Sequence, residues 1–153
     1  MKLTGLALLF ALWLSACVSE GGHTSFDEVA RVTSPDDSAD AILVETNGGA
    51  TTSFGYLVFV VPKGVRLKSK DEKYLVASLY RSTRNANAYG ANLKWPTKEE
   101  LTIEYFAGSA GLMRSSVNFA NYDVNVRLRS GVEDSSAPPG GMLHNILKNT
   151  NRE

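Results

Sequence analysis

Few side chains in this sequence are equipped for chemistry. The 153 residues hold one thiol, Cys17, and two imidazoles, His23 and His144, one near each end. Neither histidine sits in a segment that would fix it rigidly, as a general base requires. The stretch Gly108-Ser109-Ala110-Gly111 is too short for the Gly-x-Ser-x-Gly turn that exposes a hydrolase serine. Asn47-Gly48-Gly49-Ala50-Thr51-Thr52 has the glycines of a phosphate loop but not its lysine. Asp36, Asp37 and Asp40 lack the glycine and distal glutamate of a calcium loop. One cysteine excludes a zinc site built on thiolates, so no cofactor is expected. What remains is a hydroxyl cluster, Thr51, Thr52 and Ser53, beside Gly48 and Gly49. Such a cluster can cradle a ligand or peptide with hydroxyls and amides. The competing explanation is that the glycines make a turn and the threonines favour a strand. A hydrolase working with carboxylates scattered along the chain also stays open, since one sequence does not show which acids meet in space.

Charge offers a second candidate surface. Sixteen Lys and Arg balance sixteen Asp and Glu, so no nucleic-acid partner is expected. The distribution is uneven. From Val18 to Pro62 the one Lys or Arg is Arg31, among seven acids. From Lys63 to Lys94 the sign reverses, with Lys68, Lys70, Arg81 and Arg84 among eight cations. Gathered on one face, those four would meet an anionic surface; the alternative is that the two segments neutralise each other within the fold. Trp95 and Tyr89 near this basic stretch are either an exposed aromatic platform or, for Trp95, part of the core.

Cys17 is positioned by what precedes it. Met1-Lys2 is a short positive start, Leu3 to Leu14 is almost wholly apolar, and the chain turns polar at Ser19-Glu20. The run is about half of the roughly 20 residues that a membrane-spanning helix needs, and its flanks are those of an export signal. Leu14-Ser15-Ala16-Cys17 resembles the bacterial lipobox. That resemblance implies cleavage before Cys17, a diacylglycerol on its thiol and a lipid anchor in the membrane. The other reading is an ordinary secretory signal cut near Ala16, leaving a free thiol. Val18 follows in place of the aspartate that commonly retains such lipoproteins at the inner membrane. In a Gram-negative host the resemblance therefore implies the outer membrane, facing the periplasm.

Removing residues 1–16 leaves roughly 135, a usual single-domain length. Residues 17–27 read as a tether, 28–131 as a β domain, and 132–153 as a flexible tail in which Met142 to Lys148 has the spacing of a short amphipathic helix. Within the domain, alternating patterns predict strands at Glu28–Thr33, Ala41–Thr46, Thr51–Val61, Lys73–Tyr80, Leu93–Trp95, Leu101–Phe106, Val117–Ala120 and Tyr122–Arg129. Both faces turn apolar after Gly55, as in a central strand covered on both sides. Arg81–Asn92 and the AGSAGL stretch at 107–112 read as loops. Short strands at regular spacing predict a mainly β fold, a small antiparallel sandwich or partly open barrel.

Ser34-Pro35-Asp36, Gly48 to Thr52, Trp95 and Leu101-Thr102-Ile103 together resemble small bacterial lipoproteins and membrane-anchored proteins with a Gly-Gly-Ala-Thr-Thr segment. The likeness spans about half of the mature chain and implies architecture and location, not an activity. The expected role is a tethered binding module, its partner an envelope protein, a glycan or an anionic surface.

Overall fold

The computed structural model describes residues 24–68, 71–119, 121–138 and 140. The export signal, Cys17, Lys70 and the helical pattern at 142–148 lie outside the described residues.

Two sheets pack through one core. The first contains β1 (Asp27–Thr33), β2 (Ala39–Thr46), β3 (Gly55–Pro62), β4 (Leu75–Asn85), β5 (Ala88–Tyr89) and β8 (Ala107–Leu112). They lie in the order β1-β2-β3-β4, with β8 beside β4 and β5 paired to its far end. The second contains β6 (Asn92–Thr97), β7 (Glu100–Glu104), β9 (Ser116–Phe119) and β10 (Tyr122–Arg129), in the order β6-β7-β10-β9. The sheets do not close into a barrel.

Strand period explains the layers. Leu43, Tyr56, Val58, Val60 and Leu79 point inward from the first sheet and meet Leu93, Leu101, Ile103, Val124 and Val126 of the second. The alternate residues Ile42, Val44, Phe59 and Val61 face outward. Phe26, Val65, Leu67 and Tyr74 cover them, the last three from the excursion between β3 and β4. β3 is therefore covered on both faces over its second half, which accounts for its unbroken apolar run.

The sandwich is not wholly antiparallel. β7 and β10 pair in parallel, Leu101 beside Val126 and Ile103 beside Leu128. The chain leaves β7, joins the first sheet as β8, and returns through β9 before entering β10. That crossover supplies the long connection a parallel pair needs.

Two segments expected to be loops are strands. β4 runs on through Arg81 to Asn85, then turns back into β5. A bulge at Arg81 and Ser82 lets it do so: Arg81 takes φ 55 and Ser82 is fully buried. AGSAGL pairs with β4 through its backbone as an edge strand, needing few apolar side chains because only Ala110 packs on the core. Gly108 is required there. It has φ 132, and a Cβ would lie 2.7 Å from Ser82 Cα. Conversely, the strand expected from Thr51 begins only at Gly55. Residues 47–54 form a loop closed by Asn47 Oδ1 accepting from Gly49 N–H and by the Gly49 carbonyl accepting from Thr52 N–H.

The packed body also extends past Gly131. Val132 N–H donates to the Tyr105 carbonyl, Asp134 N–H donates to the Arg84 carbonyl, and Ala137 is buried. The segment read as the start of a tail lies against the domain as far as Pro138.

Candidate functional site: a hydroxyl-lined groove

The outer face of the first sheet is covered over β2 and the second half of β3, and open over the first half of β3, β4 and β8. Register builds the open part. Leu57, Ser78 and Gly111 form one row across the three strands, and Gly55, Tyr80 and Ser109 form the next. Their sequence neighbours Tyr56, Leu79 and Ala110 turn into the core, so period two sends these rows outward. Thr46 extends the second row onto β2.

Because Gly55, Ser78, Ser109 and Gly111 are small, the face is concave. The groove holds about 430 Å³. Tyr80 stands as its wall, 50% exposed. Its phenol oxygen accepts from the Ser53 N–H at 3.3 Å, which fixes the ring at the edge of the 47–54 loop. At Gly55 a Cβ would come within 2.8 Å of Thr46 Oγ1, so a larger residue would have to displace that hydroxyl. At Gly111 a Cβ would meet nothing closer than Met113 Cε at 3.6 Å and Ser78 Oγ at 3.8 Å.

The chemistry of the groove is that of neutral hydroxyls beside an aromatic ring. Thr46, Ser78 and Ser109 line it, and among the described residues none of the three hydroxyls has a hydrogen-bond partner. Apart from tyrosine, no ionisable side chain lines it. Beneath it, Tyr56 donates its hydroxyl to Glu45 Oε2 at 2.7 Å, and burial above all pushes that phenol's pKa upward. Further along β4 a smaller hollow of about 280 Å³ is lined by Arg81, Thr83, Asn87 and Tyr89. Tyr89 packs on Phe54 with ring centres 5.2 Å apart.

Another concavity, about 540 Å³ on the outer face of the second sheet, is different in kind. Its charges lie in ion pairs. Lys94 Nζ lies 2.7 Å from Glu104 Oε2, Arg129 reaches Glu104 Oε1 at 3.1 Å, and Arg127 pairs with Glu100. The Glu104 hydrogen bond is the main reason the Lys94 pKa is raised. This is an ion-pair lattice across strands rather than an open site. The same holds at the β1 edge. There Arg31 takes both oxygens of Glu28 at 2.8 and 3.0 Å and Asp40 at 2.9 Å. Asp40 also accepts from Thr33 Oγ1 and Gly64 N–H. Burial opposes the Asp40 charge, but those bonds outweigh it and its pKa is lowered. Among the described residues no three of His, Cys, Asp and Glu gather closely enough to hold a metal ion.

The residues singled out from sequence are only partly brought together. Thr51 and Thr52 are exposed in the 47–54 loop, and Thr52 Oγ1 donates to the Gly49 carbonyl instead of facing the groove. Of the three, Ser53 alone contacts it, through its amide. Of the four cations expected to share a face, Lys70 lies outside the described residues. Exposed Lys68 lies in the excursion before β4, its amide bonded to Asp71, while Arg81 and Arg84 lie past the middle of that strand. Arg84 is half-buried and donates to the Ala137 carbonyl. Lys63 pairs with Asp37, joining the cationic segment to the anionic one. Trp95 packs at the core edge and donates to the Val32 carbonyl at 2.9 Å, whereas Tyr89 is exposed. Sequence reasoning missed Ser78, Tyr80, Ser109 and Gly111 as a set. The signal was the alternation Leu75-Ala77-Leu79 against Ser78-Tyr80, but their meeting needs β8, which reads as a loop.

Comparison of the chain with protein-family models, curated proteins and solved structures finds no match.

Proposed function

We propose that this chain is a lipid-anchored lipoprotein of the bacterial envelope whose β domain is a binding module, with the groove over β3, β4 and β8 as its contact surface. In a Gram-negative cell it faces the periplasm from the outer membrane. The anchor rests on Leu14-Ser15-Ala16-Cys17 after a short apolar run; two acyl chains hold a protein stably where one does so only marginally. Among the described residues no helix is long and apolar enough to cross a membrane.

The observation that carries the binding reading is the row of hydroxyls without a partner among the described residues, beside the exposed Tyr80 ring in a concave face. Ligand sites typically hold ~300–1,000 Å³ and combine apolar walls with a few placed polar groups. Four of the carboxylates left open for a hydrolase are engaged by neighbouring groups. Glu28 and Asp40 are held by Arg31, and Glu104 by Lys94 and Arg129. Asp36 is held at a pKa of about 2, first by the Ser34 hydroxyl and then by Ser38 and Tyr122. A general acid needs the opposite shift.

Two experiments test the two halves. Growth with a labelled fatty acid should mark the wild-type protein and not Cys17→Ser, which should leave the membrane fraction. A photoreactive phenylalanine analogue at Tyr80, in cells, should cross-link to an envelope component. An unlabelled wild type removes the anchor, and a silent position 80 removes the module.

A further inference from the structure

We infer that the groove takes an acidic saccharide, one sugar ring lying over Ser78 and Gly111 against Tyr80, its carboxylate reaching Arg81. This deepens the binding-module reading above and rests on it.

The argument starts from complementarity. A sugar ring is flat, with an aliphatic C–H face and a rim of hydroxyls. The groove offers a floor of small residues, an aromatic ring as wall and three hydroxyls without a protein partner among the described residues. A hydroxyl both donates and accepts, so Thr46, Ser78 and Ser109 suit ligand hydroxyls better than a fixed array of donors would. Tyrosine supplies rigid, amphipathic contact area of the kind a C–H face packs against. A protein partner fits less well. A stable interface buries about 800 Å² on each side around a desolvated apolar centre. Here the centre of the concavity is glycine and serine.

Charge fixes the class of sugar. The groove itself carries no formal charge. The hollow further along β4 has one, Arg81, the residue after Tyr80, which is exposed and forms no ion pair among the described residues. The next arginine, Arg84, is committed to the Ala137 carbonyl. Arg81 is also held where it is by backbone: its N–H donates to the Phe54 carbonyl at 3.0 Å, and φ is 55. A non-glycine residue kept in that conformation is a cost the surrounding structure enforces. The bulge that opens between Tyr80 and Thr83 interrupts the strand's alternation at Arg81, so the exposed Tyr80 ring and the exposed Arg81 can be met by one ligand.

The test is titration of the full chain, purified in detergent, with a fluorescently labelled uronic-acid tetramer and with the neutral hexose tetramer of matching linkage. The acidic tetramer should bind about tenfold more tightly, the worth of one charge-assisted hydrogen bond. Arg81→Gln should erase that preference while leaving the neutral affinity in place. Tyr80→Ser should abolish binding of both. Should Tyr80→Ser not fold, Gly111→Val serves, because its side chain enters the groove rather than the core. Arg127→Gln, on the other sheet, should change nothing. Equal binding of the two tetramers, or a preference that survives Arg81→Gln, overturns the acidic assignment. No binding of either at millimolar concentration, or binding unaffected by Gly111→Val, overturns the saccharide site. A Tyr80 cross-link to an envelope protein with no saccharide binding would overturn this inference while leaving the binding module standing.

Discussion

Arg31→Met should be among the most damaging single changes in the domain. Among the described residues Arg31 is the one cation touching Glu28 and Asp40, which are 1% and 2% exposed. Methionine keeps much of the stem and removes the guanidinium. Glu28 then loses two charge-assisted hydrogen bonds and Asp40 loses one, keeping those from Thr33 and Gly64. Removing one partner of a buried pair typically costs ~3–5 kcal/mol, because the remaining charge stays buried without compensation. The Val65 carbonyl, which also accepts from Arg31, loses its tie to β1. Against a net stability of ~5–15 kcal/mol this is a large fraction. With a urea m-value of ~1–3 kcal/mol/M, the midpoint should fall by about 2 M at neutral pH. The deficit should shrink toward pH 4, since an unpaired buried carboxylate is relieved by protonation. Combining Arg31→Met with Glu28→Gln and Asp40→Asn should recover much of the loss, as no buried charge is then left. Urea denaturation at the two pH values reads all of this. A loss below about 1 kcal/mol, or one equal at both pH values, would refute the claim that Arg31 is needed to hold buried charge.

Other expectations follow from backbone and titration. Gly108→Ala should destabilise by about 2–3 kcal/mol, because its Cβ meets Ser82 Cα at 2.7 Å at a positive φ, whereas Gly111→Ala should be near neutral; thermal midpoints separate them. Gly49→Val should cost about 1 kcal/mol in denaturant, since φ there is 101. Asp36 and Asp40 have folded pKa values below the ordinary 3.8, so the unfolded chain binds protons more readily in acid. Their contribution is complete above about pH 5 and lost as pH falls from about 4 through 2 for Asp36; Asp36→Asn with Asp40→Asn should flatten that limb of a denaturation-against-pH curve.

How much was legible depended on whether a segment's own side chains carried its conformation. β3 was plain because Tyr56, Val58 and Val60 alternate with Leu57, Phe59 and Val61, all apolar, and Pro62 ends the run. β10 was plain because Val124, Val126 and Leu128 alternate with polar neighbours. β8 was not, because an edge strand of Gly, Ser and Ala is held by its neighbour's backbone. The Arg81 bulge was hidden for a related reason: nothing in Arg-Ser-Thr-Arg-Asn announces that Ser82 will be buried. The parallel pairing of β7 with β10 follows from a crossover that no local pattern encodes. The groove lies where those misread elements meet, so its parts were visible and its assembly was not.

Hydrogen exchange of the anchored protein in native envelopes, set against the same protein purified in detergent, tests the binding surface most directly. If the outer face of the first sheet is the contact, amides of residues 78–83 and 107–112 should exchange more slowly in the envelope, because a bound ligand shields the open edge of β8 and the Tyr80–Arg81 bulge. Residues 94–104 and 127–129, on the second sheet, should exchange alike in both. Protection confined to the second sheet, or none on either, would contradict the account.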